Sequence, residues 1–149
     1  MSVIAQTPQV ASAIHAEPAR GLNITLWVAQ VLLALVFGLS GSMKVFTPIE
    51  MLSKNMSWVR DAELLIRFIG ISELAGMLGL LLPSLTRIKP RLTSLAALGL
   101  VVVMVLATGF HVSRGEFHAL PITLGLGALA AFVAWGRFRK APISQRNHG

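Results

Sequence analysis

Three side chains in this sequence are of kinds that carry protons or stabilise charge, and all three stand where such groups are costly. Glu73 lies near the middle of Leu64–Pro83, LLIRFIGISELAGMLGLLLP, an apolar stretch about one bilayer crossing long. A spanning helix needs roughly 20 mostly apolar residues, and an unpaired charge at its centre costs a few kcal/mol or more. Lys44 stands near the end of the apolar block before it, and His111 at the end of the block after it. A carboxyl and an imidazole exchange protons, and an ammonium steadies developing negative charge. Glu73, Lys44 and His111, from three different helices, are therefore the candidate catalytic group, in a polar pocket open to one face of the membrane. The plainer reading of Glu73 is a structural acid, protonated by desolvation or paired with Lys44 to hold the helices together. For Lys44 it is a lysine snorkelling to the headgroups, and for His111 and His118 a wet helix end.

Other chemistries fit poorly. Arg67 is six residues from Glu73, a poor spacing for one helix face, so a direct pair between them is not expected. His111, Glu116 and His118 match no recognised ligand spacing, and no metal site is expected. Bundle haems take axial ligands from facing helices, and only His111 is placed for that. The sequence has no cysteine, which removes disulfides, iron–sulfur ligation and thiol nucleophiles.

The elements that must position these residues are membrane helices. Of the 149 residues 54% are hydrophobic and only 13% charged, against about 25% charged in an ordinary soluble domain. Mean hydropathy is +0.72. The fold class expected is all-α, a polytopic membrane four-helix bundle over residues 23–136, with spans at about 24–46, 64–83, 92–111 and 119–135. Residues 1–22 form a flexible tail and 137–149 a basic one. Pro83 is expected to end the second span. The first block is long for a cleaved export signal and runs on into Lys44, so it is read as a retained span. Small residues should set the packing: Ala34, Gly38 and Ser42 on one face of the first span, and Gly125, Ala128, Ala131 and neighbouring small residues in the fourth. The mixed stretch from Thr47 to Glu63 reads equally as an interfacial helix or a loop, with Trp58 at the membrane surface.

The net charge of +7 is a topology signal and not a nucleic-acid footprint, because the basic residues sit at the ends of apolar blocks. Arg20, the Arg87–Arg91 connector and the C-terminal tail share one side and hold eight of the 13 Lys and Arg residues. By the positive-inside rule both termini face the cytoplasm.

The order of features resembles the DoxX-like family of small four-helix membrane proteins. GLSGSMKVF in the first span, FIGISELAGMLGLLLP in the second and LTSLAALGLVVVMVLATGFHVSRGE in the third carry the likeness, which runs over about 24–135. The resemblance implies an integral protein of the bacterial or archaeal inner membrane, with the family's Lys, Glu and His falling at Lys44, Glu73 and His111. Its best-characterised relatives are subunits of a thiosulfate:quinone oxidoreductase, and most members have no assigned reaction. The expected role is a membrane subunit or accessory of a quinone-linked oxidoreductase, with no intrinsic cofactor, a quinone as candidate ligand, and a soluble or membrane redox partner or further copies as assembly partners. A non-catalytic membrane scaffold and a small proton-coupled transporter are the alternatives, the latter weakened by the lack of an internal repeat.

Overall fold

A computed structural model describes residues 20–145. The tail expected over 1–22 falls outside these except for Arg20–Leu22, which already belong to the first helix. Helix α1 spans Arg20–Phe46, a single short turn α2 Ile49–Leu52, and α3 Glu63–Thr86. Helix α4 spans Arg91–Ser113 and α5 Leu120–Trp135, which continues into a wider π-helical turn, Gly136–Lys140. Four helices, the last counted from Phe117 to Lys140, are long and apolar enough to cross a membrane. At 1.5 Å per residue each exceeds the roughly 30 Å of bilayer hydrocarbon.

Helix α1 packs on α3 and α5, and α4 packs on the same two, so the ring order is α1, α3, α4, α5. Short connectors make neighbours antiparallel, as in an up-and-down bundle. The apolar core is built from Leu33 and Phe37 of α1, Leu80 of α3, Ala97, Leu100 and Met104 of α4, and Ala130 and Val133 of α5. Outward, Leu39, Phe68, Leu106 and Ile122 are 65–70% exposed. In water this would be an untenable surface; in lipid it is the solvent-facing one, and the chain is a multi-pass membrane protein.

Lipid supplies no hydrophobic force between helices, so their association rests on close packing and interhelical hydrogen bonds. Each seam of the ring carries a polar tie. Lys44–Glu73 and Gln30–Leu80 O join α1 to α3, and Ser84–Thr93 joins α3 to α4. Thr108–Thr123 joins α4 to α5, and Arg137, in the π turn, donates to Asn23 and Gln30 of α1.

Two expectations are corrected. Pro83 does not end α3; the helix runs through it to Thr86 and stops at Arg87, whose left-handed backbone (φ 59°) lets its N–H donate to Pro83 O at 3.0 Å. Proline removes the helical donor of the Gly79 carbonyl and crowds it, while one residue on Gln30 and Ser84 both donate to the Leu80 carbonyl and tie this stretch of α3 to α1. In α5, Gly125, Ala128 and Ala131 are exposed, while Thr123, Ala130 and Ala134 are buried and Gly127 lies close against Met104. On α1, the face of Ala34, Gly38 and Ser42 meets the bundle as expected: Ala34 is buried, and the three residues line a shallow groove of about 340 Å³ along the α3 seam. The α1 and α3 backbones come into close contact at Gly41 and Gly70. A methyl group on Gly41 would come within 2.8 Å of the Gly70 carbonyl oxygen, and one on Gly70 within 2.8 Å of Lys44 Cβ.

The Thr47–Glu63 stretch combines both readings of it. Helix α2 and a 3₁₀ turn, Ser57–Arg60, cap the bundle, with Leu52 and Val59 buried against Ile66. Trp58 packs edge-on to Phe110 at 4.7 Å between ring centres.

Candidate functional site in the α1–α3 seam

The Gly41–Gly70 contact brings the backbones of α1 and α3 together and thereby faces Lys44 toward Glu73. Helical side chains lean toward the N-terminus of their own helix. Lys44, in the last turn of α1, therefore reaches back into the bundle and not outward. Its Nζ donates to Ser40 Oγ at 2.7 Å, one turn earlier, and to Glu73 Oε1 at 2.5 Å. Glu73 is 2% exposed, whereas the Lys44 side chain retains 20% exposure. The other carboxylate oxygen, Oε2, is buried and has no hydrogen-bond partner among the described residues. One turn further along α3, Met77 forms part of the groove lined also by Gly38 and Ser42.

Arg67 reinforces this seam in a way the sequence reading missed. Its Nη1 donates to the carbonyl oxygens of Lys44, Val45 and Thr47 at 2.7, 2.9 and 2.8 Å. The last four carbonyls of a helix lack intrahelical partners, and a cation there also complements the helix dipole. Arg67 thus caps α1 from α3 and fixes the backbone from which Lys44 projects. The second contact of Arg67, to Glu63 at 3.4 Å, is an exposed i,i+4 pair of little consequence.

His111 is engaged elsewhere. Its Nδ1 is 2.7 Å from Glu116 Oε2, while Arg114 Nε donates to Glu116 Oε1 at 2.8 Å. The Glu116 backbone N–H donates in turn to the His111 carbonyl, closing the turn after α4. Hydrogen bonds from Arg114 and His111 hold the Glu116 carboxyl below the usual carboxylate range. Among the described residues no hydrogen bond or ion pair links His111 to Lys44 or Glu73. The three expected residues therefore divide into a Lys44–Glu73 pair inside the bundle and a His111–Glu116–Arg114 cluster in a connector at the same end. His118 lies in the 3₁₀ turn Phe117–Ala119, and no group of three or more potential metal ligands occurs among the described residues.

A family model described as DoxX-like matches residues 28–133, well over half of the chain. The chain belongs to the DoxX-like family. The matched region runs from early α1 to near the end of α5 and contains Lys44, Arg67, Glu73 and His111. No match is found among curated proteins or among solved structures.

The opposite end of the bundle holds a second polar cluster. Gln30 is fully buried, and its amide nitrogen donates to Leu80 O and Ser84 Oγ, both at 3.0 Å. Ser84 Oγ meets Thr93 Oγ1 at 2.7 Å. Arg137 Nε donates to Gln30 Oε1 at 2.6 Å, and Nη1 to Asn23 Oδ1 at 2.7 Å and Ala141 O at 3.1 Å. The sequence reading assigned Arg137 to the basic tail, yet it is 4% exposed. The π turn that swings it inward leaves no periodic signature. A glutamine within the apolar block Ile24–Phe46 was the available clue to a buried polar partner.

Proposed function

We propose that this DoxX-like protein is the membrane subunit of a quinone-linked oxidoreductase in a bacterial inner membrane, holding the quinone headgroup at Lys44 and Glu73. The observation that supports this reading is Glu73 Oε2, a buried acceptor beside an ammonium, left without a partner among the described residues. Buried polar atoms are nearly always satisfied, so such an orphan marks a place for a donor such as a quinol hydroxyl. The apolar groove beside Met77 suits an isoprenoid tail entering from the lipid.

When bound, a quinone supplies reversible uptake of two electrons and two protons. Glu73 offers Oε2 as the atom that accepts or returns a proton. Lys44 donates a hydrogen bond and steadies negative charge on an oxygen. The surrounding apolar side chains keep water away, which strengthens both interactions. Electrons come from a redox partner, soluble or membrane-bound, that docks on the bundle. The end bearing Arg20, Arg87 and Arg137 faces the cytoplasm in this reading.

A second reading, a structural clamp in a membrane scaffold, is favoured by the Gly41–Gly70 contact and the Arg67 cap, which surround the pair with packing. Thermal unfolding of the purified protein with short-chain ubiquinone and menaquinone analogues separates the two. The quinone reading expects a saturable rise in Tm that Glu73→Gln abolishes. A wild-type protein unmoved by either analogue supports the clamp instead.

A further inference from the structure

A pocket of about 570 Å³ opens where α1 begins and α5 finishes, at the end of the bundle away from Lys44. Its walls include Arg20, Asn23 and Trp27 of α1, Arg87 after α3, Arg137, and the segment from Ala141 to Ser144 that folds back over it. Three of these side chains are guanidiniums, which remain charged at any physiological pH. Among the described residues, no acidic side chain lines the pocket and none of the three arginines forms an ion pair.

Arg137 makes the imbalance acute. It is almost wholly buried, and the partners of Nε and Nη1 are neutral oxygens of Gln30, Asn23 and Ala141. Its Nη2 is buried with no hydrogen-bond partner among the described residues. The guanidinium carbon lies 5.4 Å from the centre of the Trp27 ring, a second neutral contact with a cation. A buried charge that is hydrogen-bonded but uncompensated is strongly unfavourable, and two further arginines at the same pocket add repulsion. An anion with several acceptor oxygens removes both costs at once. Arginine forks match phosphate and carboxylate oxygens, and the indole and guanidinium groups belong to the headgroup layer of a membrane.

We propose that this pocket is an anion site for a phosphate group, carried either by an anionic lipid headgroup or by a free phosphate, with Arg137 at its floor and Arg87 and Arg20 at its rim. The site is separate from the Lys44–Glu73 seam and stands or falls independently of the quinone reading. Its occupant ties α1, the α3–α4 connector and the end of α5 together.

The test uses the full-length protein, delipidated in an uncharged maltoside detergent without phosphate, followed by tryptophan fluorescence and thermal unfolding. One arm adds inorganic phosphate, a second adds short-chain phosphatidylglycerol, and controls add sodium chloride at matched ionic strength or a neutral diacylglycerol. The expected result is a saturable change in fluorescence and a rise in Tm with phosphatidylglycerol, phosphate or both. Response to the lipid alone assigns a headgroup; response to phosphate as well assigns the free ion. Affinity should fall by about tenfold or more in Arg137→Gln. Because that change also strips a donor from Gln30, Arg87→Asn serves as the second variant; asparagine tolerates the left-handed backbone at 87, and affinity should fall severalfold without loss of fold. Responses no larger than the controls, or unchanged in a folded Arg87→Asn and Arg137→Gln, would overturn the proposal.

Discussion

At the scale of single residues, a carboxylate in the middle of an apolar span is held by one lysine, and energetics should follow from which partner is removed. Lys44→Met leaves a buried carboxylate without compensation and should destabilise the bundle by about 3 kcal/mol. Glu73→Gln leaves a lysine that retains a hydroxyl partner in Ser40 and some exposure, and should cost less, about 1 to 2 kcal/mol. The double variant Lys44→Met with Glu73→Leu should recover part of the loss, which a double-mutant cycle on unfolding free energies measures. Arg67→Gln should cost about 1 to 3 kcal/mol by releasing the final carbonyls of α1, measurable in the same assay. Lys44 and Glu73 were legible in the sequence because charged types at those depths are conspicuous. Arg67 was not, because its partners are backbone carbonyls of another helix, and residue types say nothing about those.

At the scale of elements, glycine positions separate what composition suggests from what packing uses. Gly41→Ala places a methyl group against the Gly70 backbone, so α1 and α3 must part; the expected cost is about 1 to 3 kcal/mol or more, with loss of the Lys44–Glu73 contact. Gly125→Ala meets no atom within 4 Å and should be neutral or stabilising by up to about 1 kcal/mol. Parallel thermal unfolding of the two variants checks the contrast. Small residues were readable as a composition, but which face of α5 turned inward was not, since a span apolar all round has no polar side to orient it. Similarly, Pro83 looked like a stop because in water it would be one; here side chains on α1 and α3 serve the neighbouring carbonyls.

The connector after α4 adds a pH dependence. The Glu116 carboxyl lies below its ordinary range in the folded protein, so the cluster's contribution is complete above the unfolded value and is lost as pH falls through the folded one. Fluorescence of Trp58, in a variant with Trp27 and Trp135 replaced by Phe, should therefore change only below about pH 4.5 through this group. Glu116→Gln should lack that transition.

At the scale of the molecule, the acid-paired Lys44–Glu73 seam and the arginine-bearing Gln30–Arg137 cluster lie at opposite ends of one bundle. That the chain holds four long apolar helices was legible from hydropathy alone, because length and apolarity are what the bilayer selects. The basic cluster was visible as charge but not as a pocket, since Arg137 enters it only through the widened turn after α5. The basic end carries Arg20, Arg87, Lys89, Arg91, Arg137, Arg139 and Lys140. A reporter fused after Gly149 should accordingly be active in the cytoplasm, and activity only outside it would reverse the proposed orientation.

In the proposed quinone site, Glu73 exchanges a proton with a quinone held beside Lys44. Infrared difference spectroscopy, recorded as bound quinone is electrochemically reduced and reoxidised in the purified protein, reads that proton directly. The expected result is a reversible carboxyl signal present in the wild type and absent in Glu73→Gln. Identical difference spectra for the two proteins, with quinone bound in both, would contradict it.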